Sequence, residues 1–441
     1  VRTNIQATNA AVSGLSGRPL RLLHVVPSYL PGHRYGGPIA SVHGLARALV
    51  GRGHRVEVWT TDQDDGERLP VGEGEIRCLD GVQVRYFKVQ GPARLRYAPG
   101  LRRALEREIQ GFDWLHAHGL FQFPSHWALS AARRVGLPAA LSPRGMLQQE
   151  VLSERGRWRK AAWLRWLERG NLAGLSGLHL TSEVERVTLP FLGHVWPTPW
   201  MIPNGIETTQ EEAPGLDELD SGLLARLQSG EPLLLFLGRL SWKKGLDRLA
   251  EFLPHWPRGH LLVAGPDDGY RAQFEQQLRR AGLADRVTLL GPVRGRAKAA
   301  LLAHADLLVL PSRSENFANV VVEALARGLP ALVTPEVGAA ELLTRWQAGW
   351  VWPAHTWPER LPRLLEDRSE LRRRGQTGRQ RVFDELTWPQ LAERFEAAYR
   401  ESSATVSATD SARRASAGGA ASSARENLPI PASQQVACRL L

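Results

Sequence analysis

Lysine is almost missing from this chain of 441 residues: of 56 basic residues only five, Lys88, Lys160, Lys243, Lys244 and Lys298, are lysines. Arginine supplies the rest of a formal net charge of +11, so each lysine marks a place where a compact ammonium is used in preference to a planar, forked guanidinium. Cysteine is scarcer still. Cys78 and Cys438 are the two present, which excludes a disulfide framework and fits a reducing compartment. No apolar run approaches the ~18 residues of a membrane span. The first residues, VRTNIQATNAAVSGLSGRP, lack the charged start and apolar stretch of a secretory signal, so the expected location is the cytoplasm. Zinc-finger spacing, an RNP-like aromatic pattern and long Lys/Arg blocks are also missing. The basic balance therefore argues against nucleic acid and leaves an anionic membrane face or anionic small molecules as partners.

What is present is an alternation of strand and helix patterns. LRLLHVV (20–26) and RVEVWTT (55–61) read as strands, and Pro38 opens a helix that gathers Ile39, Val42, Leu45, Ala46 and Leu49 on one face. The pattern restarts after MIPNGIE (201–207), with strands PLLLFLG (232–238), HLLVAG (260–265), RVTLLG (286–291), DLLVLP (306–311) and PALVT (330–334). The predicted fold class is α/β. Two Rossmann-like domains, residues 19–200 and 201–385, face each other across a cleft, each a parallel sheet covered on both faces. A helix over 386–401, with Leu391, Phe395 and Ala398 on one face, is expected to return to the first domain. Residues 1–18 are polar and small and are expected to be flexible, and the Ala/Ser/Gly-rich segment 402–441 cannot bury a core and is expected to be disordered.

The stretch Ser314–Ala326 places two carboxylates, Glu315 and Glu323, on either side of a loop-to-helix junction. The strand before it and Gly328 after it put Glu315 in the loop at a strand's C-terminal end and Glu323 inside the helix. Backbone N–H groups of Asn319 and Val320 at that helix start suit an anion, phosphate foremost. Carboxylates beside a phosphate site pair instead with hydroxyls, which sugar and ribose supply. PLLLFLG runs into Arg239-Leu240-Ser241-Trp242-Lys243-Lys244-Gly245, so a guanidinium and two of the five lysines gather at another strand end, a grouping suited to a diphosphate. Gly36 and Gly37 precede the first helix and let backbone approach a ligand. His118, at the end of Asp113–Gly119, is expected to point toward the cleft, and His116 to be structural.

The glycine pair, HAHG, IPNGI, GR-x4-KG and E-x7-E, in that order over about 19–400, resemble the family-4 retaining glycosyltransferases of the GT-B fold. SPRGML (142–147) and TSEVE (181–185) are similar to members that assemble bacterial surface polysaccharides or exopolysaccharides. The resemblance implies a nucleotide-sugar donor as co-substrate, no further cofactor and no metal, and transfer with retention. It implies Arg239 and Lys244 on the donor diphosphate, Gly37 beside it, Glu323 on the ribose and Glu315 near the transferred sugar. His118 would lie by the reacting sugar, and the backbone around Val293 would meet the base. The implied acceptor is a lipid-linked oligosaccharide, met peripherally at the inner membrane face. One departure stands out: the family often has Gly-Phe after the first glutamate, where this chain has Asn316-Phe317-Ala318.

Two further segments carry competing readings. Asp62-Gln63-Asp64 has the Asp-x-Asp form by which a different glycosyltransferase fold holds a divalent metal, and is read here as not metal-binding because cationic side chains already supply the neutralisation. The basic helix from Trp158 to Leu167, with three tryptophans, is read as packing its Trp/Leu stripe onto the sheet, a membrane-interface role being the alternative. Rival functions are a nucleotide-sugar epimerase of the same architecture and a non-catalytic nucleotide-binding partner.

Overall fold

The computed structural model describes residues 17–32, 36–64, 66–153, 156–208 and 230–419. In the first half, alternating buried and Val/Leu-rich segments form β1 (Arg21–Val25), β2 (Arg55–Thr61), a short hairpin β3 (Gln63–Asp64) and β4 (Glu67–Arg68), β5 (Ile76–Leu79), β6 (Val82–Phe87), β7 (Trp114–His118), β8 (Ala139–Ser142), β9 (Gly177–Leu180) and β10 (Pro199–Met201). Eight of these make one sheet in the order β10-β9-β8-β7-β1-β2-β6-β5. All its pairings are parallel except β5 with β6 at one edge. β1 and β7 lie side by side near its middle, which sends the C-terminal ends of both strands to one edge, where open α/β sheets take ligands. The helix Gly37–Gly51 buries Ile39, Val42, Leu45, Ala46 and Leu49, the face expected from the sequence.

The second half forms β11 (Leu233–Leu237), β12 (His260–Ala264), β13 (Val287–Gly291), β14 (Leu307–Leu310), β15 (Ala331–Val333) and β16 (Gly349–Val351). These make a six-stranded sheet in the order β13-β12-β11-β14-β15-β16, parallel throughout. The strands β11, β12 and β14 are buried at every position, as expected for a sheet covered on both faces by helices.

The chain passes between the halves twice, and the two passages pair. Ile206 N donates to Leu386 O (2.9 Å) and Trp388 N to Ile206 O (3.0 Å). The last helix, Trp388–Gly419, then lies along Gly37–Gly51, where a Cβ on Gly44 would overlap the Trp388 indole. One buried apolar cluster consequently runs from Val42 and Leu45 through Trp388, Leu391 and Phe395 to Val322 and Leu325 of the second half. That shared core fixes where the two strand edges meet.

Two expectations about the termini need correction. The last helix does not stop at 401: it continues to Gly419, and Ser403 is buried where Trp114 Nε1 donates to its hydroxyl (2.7 Å). An Ala/Ser composition too weak to build its own core is held by a neighbour's indole. At the other end Arg18, placed in the flexible N-terminus, pairs with Asp113 (2.6 Å). Residues 1–16 and 420–441 of the two terminal segments lie outside the described residues.

Candidate functional site

β11 delivers Gly238 and Arg239 to the sheet edge, and the 3-10 turn Trp242–Lys244 turns Lys244 back toward them. The turn closes on Gly245 at φ 71°, where any Cβ would overlap the Pro311 carbonyl, so glycine is required and the lysine is fixed by backbone. The Lys244 ammonium pairs with Glu315 Oε2, which brings the two sequence-derived residues together. Glu315 is held in turn by its backbone: its N donates to Glu336 O (3.2 Å), and its O accepts from Gly338 N (3.0 Å). Arg239 is 65% exposed and lies 3.3 Å from Asp268.

Four residues on, the helix Asn319–Ala326 begins at Ala318, which has φ 69° and ψ 72° and offers no side-chain cap. A left-handed residue here is one that glycine would occupy without cost; the alanine stores roughly 1 kcal/mol of strain. The helix ends at Gly328 (φ 77°), the stop expected from the sequence. Glu323, on the second turn, accepts from Lys298 at 2.5 Å. Lys298 sits on the helix Gly295–His304, just after the half-buried Val293. Three of the five lysines therefore stand in this half, and two of them neutralise the two glutamates.

Hydrogen bonds join this edge to the first half and to the segment that links the halves. Asn319 Nδ2 donates to Gly37 O (3.3 Å), Asn204 Nδ2 donates to Asn319 Oδ1 (2.8 Å), and Ser182 Oγ donates to Asn316 O (2.7 Å). Gly36, with φ 57° and ψ −118°, makes the turn into its helix, and a Cβ on Gly37 would press Asn319 Nδ2 at 3.0 Å. Gly37 and the helix start of the second half are thus in direct contact.

His118 is placed differently from the expectation. It is 3% exposed, not open to the cleft, and both its ring nitrogens are engaged: Nδ1 with Arg144 Nη2 (3.3 Å) and Nε2 with His24 Nδ1 (3.0 Å). His116, read as structural, touches Tyr399 OH and Ser142 Oγ at 2.7 Å each, and Ser142 Oγ continues to His179 Nδ1 (2.6 Å). Burial, reinforced by the Arg144 charge, pushes His24 and His179 down to about 3 and takes His116 and His118 well below the usual imidazole range. All four are neutral at pH 7. Burial also lowers the Arg144 guanidinium to about 10, leaving it charged, with the Glu185 carboxylate as its counter-charge.

Sequence reasoning gave Arg144, Glu185, Asn204, His24 and Lys298 no role. The first three lie within the quoted segments SPRGML, TSEVE and IPNGI, and Lys298 was visible as one of five lysines. His24 lies inside a strand pattern and offered no signal.

His24, His116 and His118 bring ring nitrogens within 4.8 Å of one another, a metal-capable set on spacing alone. The donors do not fit a cation: both His116 nitrogens are hydrogen-bonded, and the charged Arg144 already abuts His118. Asp62 of the Asp-x-Asp segment is buried and accepts from Val89 N (2.9 Å) and Arg68 (3.4 Å), a carboxylate that holds backbone. In the Trp-rich helix only part of the stripe packs inward. Trp163 lies on Phe123 (5.4 Å between rings) and donates to Glu168 (3.0 Å), whereas Trp158 and Trp166 are 67% and 79% exposed.

Two Rossmann-like sheets meeting at their C-terminal strand edges, with a glycine turn on one side and a lysine–glutamate pair on the other, define a two-domain α/β architecture with a ligand site between the halves. Residues 36–205 match the family model for the glycosyl transferase 4-like domain, and residues 225–381 match that for glycosyl transferases group 1. The chain is 29% identical over 385 residues to an uncharacterised glycosyltransferase of Methanocaldococcus jannaschii, covering 81% of this chain and 92% of the relative. It is 25% identical over 327 residues to the GDP-mannose:cellobiosyl-diphosphopolyprenol alpha-mannosyltransferase of Xanthomonas campestris, covering 70% and 77%. Sucrose-phosphate synthase from Thermosynechococcus elongatus shares the fold, with a TM-score of 0.66, 20% identity, and 87% of this chain and 99% of that one covered. The chain belongs to the glycosyltransferases of the GT-B fold and is similar to family 4.

Proposed function

We propose that this glycosyltransferase moves a sugar from a nucleotide-sugar donor to a lipid-linked oligosaccharide with retention of configuration, in bacterial surface-polysaccharide or exopolysaccharide synthesis. The observation that carries the reading is the Lys244–Glu315 pair at the strand edge, four residues ahead of a helix start that no side chain caps. A donor diphosphate entering there meets Lys244, Arg239 and the N–H groups of Asn319 and Val320. These groups offset the charge that grows on the departing phosphate without calling on a metal. Glu323, paired with Lys298, takes the ribose hydroxyls, and the backbone around Val293 meets the base. Glu315, once the diphosphate takes over Lys244, accepts hydroxyls of the transferred sugar and positions it. The departing diphosphate accepts the acceptor's proton.

A lipid-linked acceptor calls for contact with a membrane face from the cytoplasmic side. Among the described residues no helix is long and apolar enough to cross a membrane. The exposed Trp158 and Trp166, on a segment that also bears Arg157, Arg159, Lys160 and Arg165, suit peripheral contact by aromatic insertion and cationic attraction. The relative from Xanthomonas campestris, whose name specifies a diphosphopolyprenol-linked acceptor, supports the same class of acceptor here. The test is incubation of labelled nucleotide sugars with and without a polyprenyl-diphosphate-linked oligosaccharide. Label should leave the nucleotide and appear in lipid when acceptor is added. Isomerised nucleotide sugar formed without acceptor would instead support the epimerase, and no reaction with any donor the non-catalytic partner.

A further inference from the structure

A guanidinium has only hydrogens to offer, and a carbonyl oxygen only lone pairs, so the two ends of the buried imidazole system fix every proton in it. Arg144 Nη2 donates to His118 Nδ1, which must therefore hold a lone pair. The His118 proton is then on Nε2 and points at His24 Nδ1; the His24 proton is on Nε2, a buried atom with no hydrogen-bond partner among the described residues. At the other end His179 Nε2 donates to Ile202 O (2.8 Å). That sets Ser142 to donate to His179, His116 Nε2 to donate to Ser142, and Tyr399 to donate to His116.

Among the described residues Arg144 is the charged side chain hydrogen-bonded to these rings, and its other nitrogen reaches further. Nη1 donates to Ser41 Oγ and to Asn204 Oδ1, each at 3.0 Å. Asn204 continues to Asn319, the first residue of the helix whose start receives the donor phosphate in the reading above. The countercharge is built in the same seam. Glu185 accepts from Gly145 N (2.6 Å) and Thr181 N (2.9 Å), and the Asn316 amide nitrogen, oriented to satisfy both partners, lies 3.2 Å from each Glu185 oxygen. Arg144 itself has φ 57°, an uncommon conformation for a side chain of this size.

We propose that Arg144 is a positioning residue of the transfer reaction: its forked guanidinium holds His118 in the Nε2–H tautomer and ties it, through Asn204, to Asn319 at the donor helix. The two arms of one planar group thus set the orientation of an imidazole at the end of β7 relative to the start of a helix in the other half. A lysine keeps the charge but has one nitrogen, which does not span His118 and Asn204 together. The inference rests on the glycosyl-transfer reading for its consequence and on the hydrogen-bond directions alone for its structural claim.

The experiment uses full-length protein with ¹⁵N-labelled histidine, the His118 signal being assigned by its loss in His118→Gln. In the unsubstituted protein His118 should be wholly the neutral Nε2–H form, and in Arg144→Met the Nδ1–H form should appear. Transfer should fall by on the order of 30- to 100-fold in kcat in both Arg144→Met and Arg144→Lys, with affinity for a nucleoside diphosphate changed by less than about threefold. An Nδ1–H tautomer in the unsubstituted protein, an unchanged tautomer in Arg144→Met, or restoration of kcat by Arg144→Lys would each overturn the proposal. The tautomer measurement on unsubstituted protein stands even if Arg144→Met does not fold. It needs neither donor nor acceptor, so absence of transfer by a protein whose His118 has the stated tautomer would count against the functional reading alone.

Discussion

Replacing Lys244 by methionine removes one ammonium while keeping the length of the stem that runs past Gly238. The turn that carries it is set by Gly245 and by its packing on the Pro311 carbonyl, so the fold should survive. Lys244 and Glu315 are 16% and 20% exposed, and their pair is largely shielded from water. Its loss should cost about 1–3 kcal/mol of stability in the unliganded protein, because Glu315 is left without its charged donor. The larger effect is on turnover. Removing one charged donor aimed at a leaving diphosphate in a dry cleft costs about 2.7–4 kcal/mol of barrier, a hundred- to thousandfold in kcat. Initial rates with labelled donor at saturation measure it, and melting curves confirm that the protein is folded. A folded Lys244→Met enzyme with kcat within about threefold of the unsubstituted protein would refute the assignment.

The two glutamates should separate. Glu323→Ala should mainly weaken nucleoside-diphosphate binding, since a ribose contact persists in ground and transition states, whereas Glu315→Ala should mainly lower kcat; equal loss of binding in both would contradict the division. Stability should fall on acidification. His24, His116, His118 and His179 titrate below the ordinary imidazole value when folded, so the unfolded chain binds protons first as pH drops through about 6.5. Their contribution is intact above that pH; at pH 5 it is reduced by about 2 kcal/mol for each of His24 and His179, with His116 and His118 acting in the same direction, and it is only partly countered by Glu185, whose carboxyl burial raises. Melting temperature should therefore drop steeply between pH 7 and 5, and a flat profile would show that the rings are not held neutral. Changing Arg157, Arg159, Lys160 and Arg165 together to glutamine should reduce sedimentation with anionic vesicles at low salt without altering nucleotide affinity. If the unsubstituted protein ignores such vesicles, the exposed tryptophans serve some other contact.

The sheet strands of the second half were legible because a parallel sheet covered on both faces needs near-continuous apolar runs, and β11, β12 and β14 are such runs. Glu315, Glu323, Lys244 and the glycine pair were legible because a motif at a strand end has a local signature: a turn glycine, a helix start, a rare lysine. What escaped was set by partners far away in sequence. His118 looked like a cleft residue because nothing near it in the chain announces that Arg144 and His24 enclose it. Arg144 itself reads as an ordinary charged turn in SPRGML; its burial follows from Asn204 and Glu185, dozens of residues on. The same holds for Ser403, whose helix persists because Trp114 receives it, and for Trp158 and Trp166, which a helical stripe alone cannot assign to core or surface.

Titrating the protein with nucleoside mono- and diphosphates by calorimetry tests the donor site most directly. At least one nucleoside diphosphate should bind, its monophosphate should bind much more weakly because Arg239, Lys244 and the helix start lose a phosphate, and Glu323→Ala should weaken the diphosphate by on the order of tenfold or more. Binding that ignores both the second phosphate and Glu323, or no binding by any nucleotide, would contradict the assignment of the donor site.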